Sequence, residues 1–80
     1  MTEVVVLYFA SLRDAAGVES ERVDSDATNL AALYAELQVG HGFALPLQQL
    51  RVAVDGAFVE WQAPLRENST VAFIPPVSGG

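Results

Sequence analysis

The sequence predicts an α+β domain, a mixed sheet of about five strands with one main helix packed on one of its faces. Three observations predict it. Short β-branched and aromatic runs recur at Val4–Phe9, Arg51–Asp55 and Thr70–Ile74, each too short for an ordinary helix. One stretch between the first two runs has helical apolar spacing, with Leu30, Leu33, Tyr34 and Leu37 at i, i+3, i+4 and i+7. The chain has 80 residues, 51% hydrophobic and 18% charged, which fits one globular domain with a small core and excludes a disordered chain.

The elements follow in order. Val4–Phe9 is a buried strand. Ala10–Ala16 (ASLRDAA) holds good helix formers and is followed by Gly17, a residue suited to the left-handed position after a helix, so one or two helical turns are expected. Glu19–Val23 alternates weakly and is polar, consistent with an edge strand. Asp24-Ser25-Asp26 reads as a turn. The main helix is expected to start at Thr28, whose hydroxyl can accept an orphan backbone N–H, and to end at Gly40. His41–Gln49 contains Pro46 and lacks a clean period, so it reads as loop with some helix. Arg51–Asp55 meets Asp55-Gly56, a hairpin turn signal, and Phe58–Trp61 is the return strand. Thr70–Ile74 is the last strand, and Pro75-Pro76 forbids its continuation in a paired ladder. The first two strands must be antiparallel, and the helix crosses over to a further strand. This order is that of the β-grasp, the ubiquitin-like architecture. It divides the chain into a domain over residues 1–74 and an extended tail over residues 75–80.

Charge and composition exclude several functions. Ten acidic residues face four arginines and no lysine, for a net charge of −6, so nucleic acid and anionic membranes are poor partners and basic protein surfaces are better ones. No stretch approaches the roughly 20 apolar residues of a membrane span, and MTEVVVLYF reads as a strand rather than a signal peptide. The absence of cysteine excludes thiol nucleophiles, Cys-ligated zinc and iron–sulfur clusters, and fits a cytoplasmic location. His41, alone between two glycines, makes neither a metal site nor a triad and reads as an ordinary surface residue. Asp24 and Asp26 read as turn formers rather than cation ligands, and no serine has a base beside it in sequence. The chain is expected to bind no cofactor and to catalyse nothing by itself.

Two features remain. Side chains alternate along a strand, so Phe9 and Leu7 share the parity of Glu3, Phe58 that of Glu60, and Ile74 that of Ala72. If the acids face outward, so do Phe9, Leu7 and Phe58, and only one parity of the last strand reaches the helix side. They are then either scattered surface, which is normal, or a contiguous patch that a partner covers. The second feature is the end, Pro75-Pro76-Val77-Ser78-Gly79-Gly80. Prolines hold a chain extended, six extended residues reach roughly 20 Å, and two glycines can enter a tunnel too narrow for any side chain. The group such a tail delivers is the carboxylate of Gly80. The plain alternative is a loose terminus.

Three stretches, LYFASLRDAAG (Leu7–Gly17), VAVDGAFVEWQAPL (Val52–Leu65) and TVAFIPPVSGG (Thr70–Gly80), resemble the MoaD/ThiS family of sulfur carriers, in particular the small subunits of molybdopterin synthase. The helix also sits where the family has one, so the resemblance spans nearly the whole chain. It implies a mechanism. An E1-like enzyme consumes ATP to adenylate the Gly80 carboxylate, because a carboxylate is a poor electrophile without a good leaving group. A sulfur donor then converts it to a thiocarboxylate. The tail, with Gly79 in its threaded part, enters the large catalytic subunit, and the sulfur passes to a cyclic pterin precursor; two deliveries build a dithiolene. The resemblance places Phe9, Phe58 and Ile74 in apolar contact with that large subunit and Arg13 at the rim, with Pro75, Pro76, Val77 and Ser78 completing the interface. It implies a heterotetramer of two small and two large chains. The chain departs from the family pattern at Asn68-Ser69, where Gly-Asp is common, and at Ile74, where an aromatic is frequent. Val18–Val23 and His41–Gln49 match little. Carriers for thiamine or tungsten-cofactor synthesis, ubiquitin-like modifiers and plain binding modules share the fold, and the first two share the tail.

Overall fold

The structure is a computed structural model that describes residues 1–76; Val77, Ser78, Gly79 and Gly80 lie outside the described residues. Strand β1 (Thr2–Tyr8) buries Val4, Val6 and Tyr8 on one side and leaves Glu3, Val5 and Leu7 half-buried on the other. It stops one residue before the expected Phe9. Phe9 keeps an extended backbone (φ −127°, ψ 149°) but already belongs to the next element, its carbonyl accepting the Leu12 N–H at 3.1 Å. Helix α1 (Ala10–Ala16) has the expected bounds, and Gly17 closes it in the left-handed region (φ 79°), its N–H donating to the Arg13 carbonyl at 2.9 Å.

Strand β2 (Ser20–Ser25) runs antiparallel to β1 at the sheet edge. It extends past the expected Val23, because Ser25 is part of the ladder, opposite Thr2, rather than part of a turn. Ser25 is buried; its hydroxyl accepts the Ala27 N–H at 2.9 Å and donates to Glu36 Oε1 at 2.8 Å, which begins the turn one residue later.

Helix α2 (Leu30–His41) lies on the core side of the sheet and buries Leu30, Leu33, Tyr34 and Leu37, the predicted stripe. Its cap is Asn29, not Thr28: Asn29 Oδ1 accepts the Ala32 N–H at 2.8 Å, three residues on, which Thr28 is one residue too early to do. The next orphan donors, Leu30 and Ala31, reach the carbonyls of Ala63 and Trp61 at 3.1 and 3.0 Å, so the loop after the hairpin is stitched onto the helix start. The helix also runs past Gly40. The left-handed residue that closes it is Gly42 (φ 73°), and His41 lies in the last turn.

The following segment contains one short 3₁₀ turn, Leu47–Gln49, and is tied back to α2 by the Tyr34 hydroxyl, which donates to the Leu45 carbonyl at 2.7 Å. Strands β3 (Arg51–Val54) and β4 (Ala57–Val59) form the predicted hairpin, with Asp55 (φ 51°) and Gly56 (φ 88°) both in the left-handed region that a tight two-residue turn requires. Strand β4 ends before Trp61, whose ring leaves the ladder to stack on Phe73 at 5.9 Å. Strand β5 (Thr70–Ile74) runs parallel to β1 and antiparallel to β3, giving the order β2-β1-β5-β3-β4. The core is built from Val4, Val6, Tyr8, Val52, Val71 and Phe73 of the sheet against Leu12 and the α2 stripe, with Phe43 and Leu50 closing one end.

Candidate functional site

The strand registers settle what lies on the face opposite α2. Leu7 pairs with Ala72, Ala72 with Ala53, and Ala53 with Phe58. These four residues therefore form one apolar row across β1, β5, β3 and β4, because directly opposed residues share a face. Val5 lies in the adjoining row, and Ile74, opposed to Arg51, on the other side. The outward parity expected for Leu7, Phe58 and Ile74 is observed. Phe58 is 62% and Phe9 44% exposed, far from the near-zero exposure of the core. The patch is contiguous, and its gaps are filled by alanines, which let the larger side chains at either end stand proud.

Strand β5, which runs into Pro75 and Pro76, is the central strand of this face. On its β3 side, Ile74, Pro75 and Pro76 line an open groove with Leu50, Arg51 and Phe58. Pro75 is buried and Pro76 is exposed. On the β1 side, Phe9 and Arg13 border a second groove with Leu7 and Glu19. Arg13 is half-exposed, and its guanidinium lies 3.7 Å from a carboxylate oxygen of the exposed Glu19, a loose pair of small energetic weight. The structure thus brings Phe58, Ile74, Pro75 and Pro76 together in one groove and sets Phe9 and Arg13 in the other. The expected site residues Val77, Ser78, Gly79 and Gly80 lie outside the described residues.

Two clusters went unread in the sequence. One is Arg51, whose guanidinium sits 5.5 Å from the centre of the Phe58 ring, in a cation–π arrangement. The other corrects the reading of His41 as an ordinary surface residue. His41 Nε2 lies 2.7 Å from Glu21 Oε2, the same oxygen that accepts the Tyr8 hydroxyl, and its ring stacks on Phe43 and meets Tyr8 edge-on. Burial, then the hydrogen bond to Glu21 and its charge, push the Tyr8 hydroxyl far above its ordinary pKa. Burial alone would raise Glu21, but the hydrogen bonds from Tyr8 and His41 and the attraction of His41 outweigh it and hold the carboxyl below its ordinary value. The cluster sits on the core side of the sheet, away from the apolar row, and fastens α2 to β1 and β2. Among the described residues no three His, Cys, Asp or Glu side chains group as metal ligands, and no helix is long and apolar enough to cross a membrane.

Fold and face together define a ubiquitin-like β-grasp protein that offers an open apolar face at the root of its C-terminal tail. The chain belongs to the ThiS family, whose profile matches residues 6–80. It is 34% identical to the molybdopterin synthase sulfur carrier subunit of Escherichia coli over 96% of this chain and 99% of that one. It is 32% identical to the same-named protein of Haemophilus influenzae over 94% and 96%. Among solved structures it superposes on a chain of the protein–protein complex of subunits 1 and 2 of molybdopterin-converting factor from Helicobacter pylori, with TM-score 0.69 and 25% identity over 99% of this chain and 100% of that one. The small archaeal modifier protein 1 of Haloferax volcanii, at TM-score 0.81 and 21% identity over 96% and 100%, shares the fold.

Proposed function

We propose that this chain is the sulfur carrier subunit of molybdopterin synthase. One observation carries the reading: the family match runs through residue 80, and the relatives bearing that name align nearly end to end. The geometry supports it. A tail rooted in the central strand, beside a contiguous apolar face, suits a protein that docks by its sheet and delivers by its terminus.

In this reading Gly80 bears the chemistry. An E1-like enzyme uses ATP to convert its carboxylate to the acyl adenylate, and sulfur from a donor replaces AMP to leave the thiocarboxylate. The carrier itself holds no cofactor. Phe9, Phe58 and Ile74 then bury against the large subunit, Arg13 meets its rim, and Pro75 and Pro76 hold the exit rigid while Val77, Ser78 and Gly79 thread to the active site. There the sulfur passes to the pterin precursor. The acidic carrier (net charge −6) is a poor host for a phosphate-bearing precursor, so the anion-binding groups belong to the large subunit. The assembly is a heterotetramer of two carriers and two large chains, in the cytoplasm.

The test is the intact mass after incubation with ATP, a cognate activating enzyme and a sulfur donor. The expected result is a gain matching one oxygen replaced by sulfur, lost when Gly80 is deleted. No gain, with the enzyme active on a control carrier, overturns the reading.

A further inference from the structure

We propose that Arg51, braced on the Phe58 ring, is the second charged contact of the docking face, and that it takes a carboxylate of the partner. The inference rests on the docking reading given above and adds to it a residue, a partner chemistry and an orientation.

The argument begins with charge. The chain has ten acidic residues and four arginines. Two of those arginines are matched: Arg13 lies 3.7 Å from Glu19, and Arg22 lies 3.1 Å from Glu3. Among the described residues Arg51 has no carboxylate within ion-pair distance, although it is exposed in an acidic protein. The groove it lines contains Gln48, Leu50, Phe58, Ile74 and Pro75 and no acidic side chain. Among the described residues Arg66 also has no ion pair and no aromatic face beneath it, but it borders a different groove, with Ala63 and Pro64. Among the described residues Arg51 is therefore an uncompensated positive point in the face that carries Ile74 and Pro75.

Geometry makes that point useful. Arg51 stands opposite Ile74 in the ladder, one residue before Pro75, so its position relative to the tail is fixed by the backbone. The ring 5.5 Å away restrains the guanidinium, which lowers the entropy lost when it is ordered by a partner. A stacked guanidinium still offers its N–H edge, whose fork matches a carboxylate with two parallel hydrogen bonds. Phe58 meanwhile supplies apolar surface beside it, so one carboxylate at the rim of an apolar partner surface satisfies both residues. Arg13 lies on the far side of β1 and β5. Two cations on either side of the end of β5 define a line, and a line fixes the rotation of the carrier on its partner where an apolar patch alone leaves it free.

The experiment is titration of the full-length carrier against the cognate large subunit at low and high salt. Arg51→Gln is expected to weaken docking roughly tenfold at low salt, with the difference shrinking as salt rises. Arg51→Lys keeps the charge but not the fork, and is expected to recover only part of the affinity. In a Phe58→Leu background the effect of Arg51→Gln is expected to shrink, because the brace is gone. Wild-type docking with Arg51→Gln unchanged in affinity and salt dependence overturns the inference and leaves the carrier reading intact. An affinity loss accompanied by a lower Tm and an unaltered salt dependence also overturns it, since Arg51 is then a folding residue. Failure of the wild-type chain to dock at all removes the docking reading and the inference together.

Discussion

Removing the Glu21 carboxylate tests the polar cluster that joins β1, β2 and α2. Glu21→Ala leaves the Tyr8 hydroxyl without its acceptor, and Tyr8 is only 2% exposed. A buried donor left unpaired costs about 1–3 kcal/mol. The Glu21 side chain is 31% exposed, so water can enter where it stood, and the lower half of that range, about 1–2 kcal/mol, is expected. For a domain of this size each kcal/mol moves Tm by roughly 4–8 °C. The fall should therefore be on the order of 5–15 °C. In a Tyr8→Phe background the same substitution should cost less, because no donor is stranded. The pH dependence has two limbs. Glu21 is held below its ordinary value of 4.5, so near and below that pH the unfolded chain binds more protons than the folded one. Its contribution is present above about pH 4.5 and is lost as pH falls through the lower folded value. Tyr8 is raised from 10.0, so its contribution is full below that pH and declines above it, and Tyr34, raised by burial, acts in the same direction. Urea unfolding of wild type and Glu21→Ala across this range is the assay. Equal stability at neutral pH, or an acid limb equally steep in both proteins, would refute the reasoning.

Two further outcomes follow. Asn29→Ala should lower stability by about 1 kcal/mol through loss of the helix cap, whereas Thr28→Ala should change little, which denaturant midpoints would show. Phe58→Asp should weaken docking on the large subunit without unfolding the domain, because the ring is 62% exposed and the new carboxylate has Arg51 beside it; a large fall in Tm would instead make Phe58 a core residue.

Much of the fold was legible in the sequence because it is written in local periods. Alternation fixed the faces of β1 and β5, the i, i+3, i+4, i+7 stripe fixed the buried side of α2, and Asp55-Gly56 fixed the hairpin. The errors fall where two neighbouring residues can do the same job. Thr28 and Asn29 are both capping residues, and Gly40 and Gly42 both suit a helix end; only the backbone decides which is at the right step. The polar cluster was missed for another reason. Its members are 13 and 20 residues apart along the chain, a separation on which local periodicity is silent. One signal was available: Glu21 lies opposite Val6 and shares the inward parity of Val23, so it was a carboxylate on the core side in need of partners. Arg51 had no such signal, since it is exposed, and an exposed arginine gains meaning only when the register sets it beside Phe58.

In the proposed function, the position of β5 ties the docking face to the base of the tail. Among the described residues it alone is hydrogen-bonded to both β1 and β3, with Phe73 paired to Tyr8 on one side and to Val52 on the other. A strand at the edge of a sheet frays readily, whereas one at the centre opens only with the core. Phe73 and Val71 anchor it on the helix side, both fully buried, and Pro75 is buried as well. The last rigid point before the tail is therefore level with Arg51 on one flank and with the Phe9–Arg13 turn on the other. A partner that grips both flanks fixes the origin and direction of the residues that follow. In the proposed function, what the two prolines contribute is stiffness at the base of the tail. Flexibility introduced at Pro75 and Pro76 should then impair delivery more than docking, and a carrier with both replaced by alanine, binding the large subunit normally yet transferring sulfur at the wild-type rate, would show that this rigidity is not used.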